Sequence, residues 1–246
     1  MQTIFSYQKM PYLMLAGAIW LVWVFGAITQ TPFRSLAVLM FDTLGAFILI
    51  RLSSKLPATL RPSVLGLGVA LAFITLGDAI LTYSLFAGIP RADSSFIRDP
   101  LYYAGSLLVV ISSIAFPFAM QRQGLYARAQ ALKLVLGSVF FALFLTVIVT
   151  LITQATIGNM AQSAISQIIF QFVVYLLTAL FGSQTVVLGR GRLANTLRQL
   201  SIVFLLVSLA RIATIVIGGQ YYGELIYDFL WSAGMSMSAW MMANRE

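Results

Sequence analysis

The sequence predicts an all-α fold, a polytopic bundle of about eight transmembrane helices with both termini on the cytoplasmic side. Composition is the first observation behind this. Of 246 residues, 60% are hydrophobic and 9% charged, and the mean hydropathy is +0.94. A soluble domain is about half apolar and about a quarter charged. One of this size must turn too much of its chain to water to hide such a surplus. Lipid is the solvent that fits. The second observation is run length: apolar stretches of about 17–25 residues recur, without the strict alternation of a membrane barrel strand. The third is where the cations lie between those runs.

The elements follow in order. Spans are expected near 11–28, 34–52, 64–88, 100–120, 132–152, 164–188, 200–218 and 223–242, in a single integral membrane domain covering 1–246. The first run follows only Lys9 and has no small-residue cleavage pattern, so it is expected to stay as a span. Thr31-Pro32 opens the second. Lys55-Leu56-Pro57 and Arg61-Pro62 mark the loop before the third. Asp99-Pro100 reads as an N-cap followed by proline at the first position of the fourth. Pro117 should kink that helix or end it early. The C-terminal residues 243–246 stop almost at the membrane surface, and no soluble output domain is expected.

Cations set the orientation. The second loop holds Arg51, Lys55 and Arg61, the fourth Arg122, Arg128 and Lys133, and the sixth Arg190, Arg192 and Arg198. The odd loops are poorer: Arg34, then Arg91 and Arg98 offset by Asp93 and Asp99, then none around Gly158-Asn159. Even loops inside is the consistent assignment, in a cytoplasmic or bacterial inner membrane. The net charge of +8 is therefore mostly a topology signal, and nucleic-acid binding is not expected because no long basic face exists.

Absences narrow the chemistry. With neither Cys nor His, no disulfide, thiol nucleophile or His- or Cys-ligated haem, chlorophyll or metal is expected, and no cofactor is predicted. There is no metal-carboxylate cluster or serine elbow, and Leu188-Gly189-Arg190-Gly191-Arg192 is a basic loop rather than a phosphate fingerprint.

The informative residues are ionisable groups at membrane depth, which are costly there and usually face the bundle interior with a partner. They are Asp42 in the second span, Asp78 in the third, Arg211 in the seventh, and Asp228 with Glu224 in the eighth. All fall between the midplane and the outer surface, as one buried polar cluster would. Thr75 and Thr82 share a face with Asp78, Ser208 and Thr214 flank Arg211, and Ser232 follows Asp228 by one turn. Arg211 is expected to pair with Asp78 or Asp228, leaving at least one acid protonated or reached by water. Asp42, lacking a local partner, is expected to bond Thr43 or nearby backbone. Two readings stay open: a charge pair that fixes helix packing, or a site for a ligand, a proton or a lipid headgroup.

Small residues, Gly45 and Ala46 in the second span and Gly66, Gly68, Ala70 and Ala72 in the third, permit close helix approach. Gly182-Ser183-Gln184 places a polar group inside the sixth span. Met235, Met237, Met241 and Met242 read as packing filler or a soft partner surface. Trp20, Trp23, Trp231 and Trp240 sit towards span ends and suit interface anchoring. The loop 90–99, of mixed charge, is placed to cap the polar cluster from outside.

Two families come into view at Leu76-Gly77-Asp78-Ala79-Ile80-Leu81-Thr82-Tyr83 and Asp99-Pro100-Leu101-Tyr102-Tyr103-Ala104-Gly105. A Gly-Asp span, an outer loop with Pro90 and an Asp-x-Leu-Tyr-x-x-Gly helix start resemble the multi-span N-terminal membrane module of bacterial sensor histidine kinases and diguanylate cyclases. The resemblance covers about forty residues. It departs at Ser106, where the family carries Tyr, and in the missing kinase or cyclase domain. It implies a non-enzymatic sensory module, or an accessory subunit of a larger membrane complex. Such a chain would bind a lipidic or small ligand, membrane lipids, or partner membrane proteins. Leu76-Gly77-Asp78 with eight spans is also similar to the lysoplasmalogenase-like membrane hydrolases. That similarity implies an intramembrane hydrolase using Asp78 and a second acid, for which Asp228 is the candidate because Gly182-Ser183-Gln184 lacks the family's carboxylate. A small proton-coupled carrier using Asp78, Asp228 and Arg211 is the third possibility.

Overall fold

The computed structural model describes residues 10–90, 93–157 and 163–189, together with 198, 201, 202, 204, 205, 209, 225, 226, 228–234 and 236. Six long helices appear in chain order: α1 (Met10–Thr29), α2 (Phe33–Ser54), α3 (Arg61–Phe86), α4 (Ser95–Arg122), α5 (Arg128–Ile157) and α6 (Ser163–Leu188). Residues 228–234 are helical as well, and the described residues contain no strand. Five of these helices, α2 to α6, are long and apolar enough to cross a membrane. The first six expected spans thus correspond to six helices. The seventh and eighth fall largely outside the described residues.

Short connections make consecutive helices antiparallel neighbours, and each packs on the next, while α4 also meets α6. At the first turn the chain reverses tightly. Gln30 takes φ 56°, and a Cβ on Gly26 would stand 2.2 Å from the Arg34 nitrogen. Only a glycine lets the last turns of α1 pass this close to the start of α2.

Two details of the fourth span differ from expectation. Asp99-Pro100 is not the helix start, because α4 begins at Ser95 and carries Pro100 in its second turn. The carbonyl that Pro100 leaves without a donor is that of Phe96, in the first turn beside a strongly exposed side chain, where solvent can serve it. Pro117 does not end the helix either. It is fully buried, and α4 continues to Arg122.

The core lies in two main clusters. One joins α1 and α2 with Leu71, Val174 and Trp231. The other joins α3, α4 and α6 and extends to Leu60 and Tyr126 at the ends of their connections. The expected small-residue packing is visible in α3: a Cβ on Gly66 would collide with Ser112 of α4, and one on Gly68 with Ile50 of α2. The aromatic residues correct an expectation. Trp23 and Trp231 are buried, and Trp20 packs edge-on against Trp23 and Phe41 with ring centroids 5.5 and 5.4 Å apart. These three indoles are core residues, since the polar depth of the bundle gives two of them acceptors: Trp20 Nε1 donates to Ser236 and Trp231 Nε1 to Asp42. Trp240 and the methionines 235, 237, 241 and 242 lie outside the described residues.

Candidate functional site

Asp42, Asp78, Thr82 and Asp228 meet in the wall of one cavity of about 320 Å³. Helical spacing builds it. On α2, Ser35, Val38 and Asp42 recur at intervals of three and four; on α3, Ile74, Asp78 and Thr82 recur at intervals of four. On α4, Tyr102, Tyr103 and Ser106 fall on one face. Ile169 and Phe170 of α6 and Trp231 close the wall. Asp42 lies nine residues into α2, Asp78 eight before the end of α3, and Tyr102 seven into α4. At 1.5 Å per residue each sits roughly 10–14 Å from the same end of the bundle, inside a hydrocarbon layer of about 30 Å.

The third and fourth helices supply the most closely fitted part. Tyr102 donates its hydroxyl to Asp78 Oδ1 at 2.6 Å. The ring can reach that far because residue 77 is glycine: a Cβ there would stand 2.6 Å from Tyr102 Cε1. Gly105 answers from α4, where a Cβ would stand 2.9 Å from the Ala70 carbonyl oxygen. The Gly-Asp pair and the Leu-Tyr-x-x-Gly start singled out in the sequence are therefore two halves of one contact. Arg98, one turn before Tyr102, pairs with Asp99 at 3.0 Å and lies near enough to act electrostatically on both Asp78 and Tyr102. The loop 90–99 thus caps the cluster through its last, helical part.

Asp228 has a partner that the sequence reading does not name. Asp228 is held by Arg34, Nε to Oδ2 at 2.6 Å, with both side chains mostly buried. Arg34 sits in the first turn of α2 and points into the bundle; sequence reasoning had counted it as a loop cation. Its position next to a Pro-led helix start, one residue inside the span, was the available signal. Arg211 and Glu224 lie outside the described residues.

Asp42, expected to be satisfied by Thr43 or backbone, is instead central. Its Oδ1 accepts the Trp231 indole N–H, whereas Thr43 is exposed and donates to the Leu39 carbonyl. Asp42 is 1% exposed, and its carboxyl lies within hydrogen-bond reach of the Asp78 carboxyl. The described residues contain no group of three or more acidic, His or Cys side chains arranged to hold a metal ion. Thr82 is buried in the wall one turn beyond Asp78, and Ser232, one turn after Asp228, is buried with its hydroxyl unpartnered. Gln184 of α6 is fully buried, away from this cavity, and neither end of its amide has a partner.

The arrangement can do three things chemically. It can hold a proton between two adjacent carboxyls, accept hydrogen bonds from a donor entering the cavity, and present aromatic faces to an apolar guest. No family model, curated protein or solved structure matches the chain.

Proposed function

We propose that the chain is a non-enzymatic ligand-binding module of sensory type, set in a bacterial inner membrane as eight spans with both termini in the cytoplasm. It would act alone or as an accessory subunit of a larger membrane complex. The observation that carries this reading is the cavity at membrane depth. Its wall holds Asp228, which is paired with Arg34, together with the adjacent buried carboxyls of Asp42 and Asp78. An ion pair alone would serve packing; a cavity with two further carboxyls in its wall suits a guest that supplies hydrogen-bond donors. The resemblance of the Gly77-Asp78 and Leu101–Gly105 segments to sensor membrane modules points the same way, and Tyr102 gives both segments a shared purpose at the cavity wall.

The test is native mass spectrometry of the protein released gently from its own membrane. A retained small molecule or lipid is expected, and it should be lost when Thr82→Trp fills the cavity. A protein that emerges empty, and that gains no thermal stability from an extract of that membrane, would remove the reading.

A second reading has one observation in its favour. Two adjacent carboxyls are what an intramembrane hydrolase needs to activate water, and the partner of Asp78 is Asp42 rather than Asp228. Lysolipid turnover by the purified chain that disappears in both Asp78→Asn and Asp42→Asn would establish it over the non-enzymatic one.

A further inference from the structure

We infer that the Asp42–Asp78 cavity takes an organic ammonium, a protonated amine carried on an apolar and preferably aromatic body. This rests on the ligand-binding reading and names its chemical class.

Charge is the first argument. Among the described residues, Asp42, Asp78, Asp99 and Asp228 gather here with two guanidiniums, Arg34 and Arg98. Each guanidinium has an acid directly against it, Arg34 on Asp228 at 2.6 Å and Arg98 on Asp99 at 3.0 Å. Asp42 and Asp78 are then left with only neutral direct donors, the Trp231 N–H and the Tyr102 O–H. An anion would face this pair across a poorly screened interior, which is strongly unfavourable.

Hydrogen bonding is the second. The Asp42 and Asp78 carboxyls share a hydrogen bond in the cavity wall, and the pair offers more acceptor positions than the neutral donors beside it fill. An ammonium brings three donors and one positive charge.

Shape is the third. A cavity of about 320 Å³ is at the small end of ligand pockets and far larger than a proton or a bare metal ion requires. The rest of its wall combines the aromatic rings of Tyr102, Tyr103, Phe170 and Trp231 with aliphatic neighbours and the hydroxyl residues Ser35, Thr82 and Ser106. Aromatic faces beside carboxyls recognise a cation by its charge and its hydrocarbon body together.

The experiment uses the full chain in phosphatidylcholine nanodiscs, with three probes sharing one aromatic body: phenethylamine, 2-phenylethanol and 3-phenylpropionate. Binding is read from tryptophan fluorescence, since Trp231 lies in the wall, and from the shift in thermal midpoint. Phenethylamine should bind saturably and at least tenfold more tightly than the alcohol, with the carboxylate weakest. Asp42→Asn and Asp78→Asn should each lose at least tenfold, and Gln123→Ala, on an exposed connection, should lose nothing. Equal binding of amine and alcohol, or preference for the carboxylate, would overturn the ammonium assignment while leaving a ligand site in place. Absence of saturable binding by all three would overturn both. The probe comparison is made on the unmodified protein, so the outcome stands even if a carboxyl variant fails to fold.

Discussion

Asp78 and Tyr102 show how far a single hydrogen bond can be pressed as an argument. The phenol donates to a carboxyl buried at membrane depth, and its ring fits only because its neighbour across the helix interface is Gly77. Tyr102→Phe keeps the ring and deletes the donor, so it should destabilise the protein by roughly 1–3 kcal/mol. Thermal melts in detergent would measure this, and the loss should largely vanish in an Asp78→Leu background where the acceptor is gone. Tyr126 predicts the opposite sign. It lies outside the spans, in the α4–α5 connection, buried and with an unpartnered hydroxyl, and burial pushes its pKa up to about 12. Tyr126→Phe should therefore be neutral or stabilising. Because the folded-state pKa lies above the unfolded value of about 10, the stability linked to this group is complete below pH ~10. It is lost as pH rises from there through the folded pKa. Compared with the unmodified protein, Tyr126→Phe should lose a component of the ultraviolet titration that ionises near pH 12 in the folded state. The sequence marked Asp78 and the Tyr102 motif separately, and it could not join Asp42 to Trp231, because those residues lie 189 positions apart and neither carries a local pattern.

At the scale of elements, the places and lengths of the first six apolar runs were readable and their rotation was not. The length of an apolar run is set by the thickness of the bilayer, so six helices match six runs within a few residues. Rotation is poorly encoded because lipid-facing and core-facing positions are equally apolar, which leaves the polar residues and glycines as the only markers of a face. Asp42, Asp78 and Thr82 were such markers, and so was the small-residue stripe of α3. Trp23 and Trp231 are buried rather than interfacial, because proximity to a span end is no measure of exposure. The α3–α4 interface gives the sharpest elemental prediction. Gly77→Val would place methyl groups where the Tyr102 ring now lies, 2.6 Å from the Cβ position, and should cost about 1–3 kcal/mol by forcing the helices apart. The same melts would read it, and pairing it with Tyr102→Ala should recover part of the loss. The segment 228–234 is tied to α2 by Arg34 and Asp228. Arg34→Met strands a mostly buried carboxylate and should cost roughly 3–5 kcal/mol. Adding Asp228→Leu should restore much of that, because a hydrophobic replacement of both partners is close to neutral. A lack of rescue would show that the pair is not what fixes this segment.

For the whole molecule, the placement of charge distinguishes the two ends of the bundle. The α2–α3 and α4–α5 connections emerge at one end of the bundle and bring together Arg51, Lys55, Arg61, Arg122, Arg128 and Lys133. The other end carries Arg34 and Arg98 among the described residues, and each is set against a carboxylate. The positive-inside rule predicts that the basic end is cytoplasmic, which would place the cavity in the outer half, open to guests arriving from outside or from the outer leaflet. The absence of cysteine gives a clean background for testing this. Single cysteines at Ser54 and Gln123, at the basic end, and at Asp93, at the site end, should behave differently towards a membrane-impermeant maleimide. In intact cells Asp93→Cys should label and the other two should not, and all three should label after permeabilisation. All three positions are exposed, so protection cannot be blamed on packing. The reverse pattern would invert the molecule and place the cavity in the inner half, with a cytoplasmic source for whatever it binds.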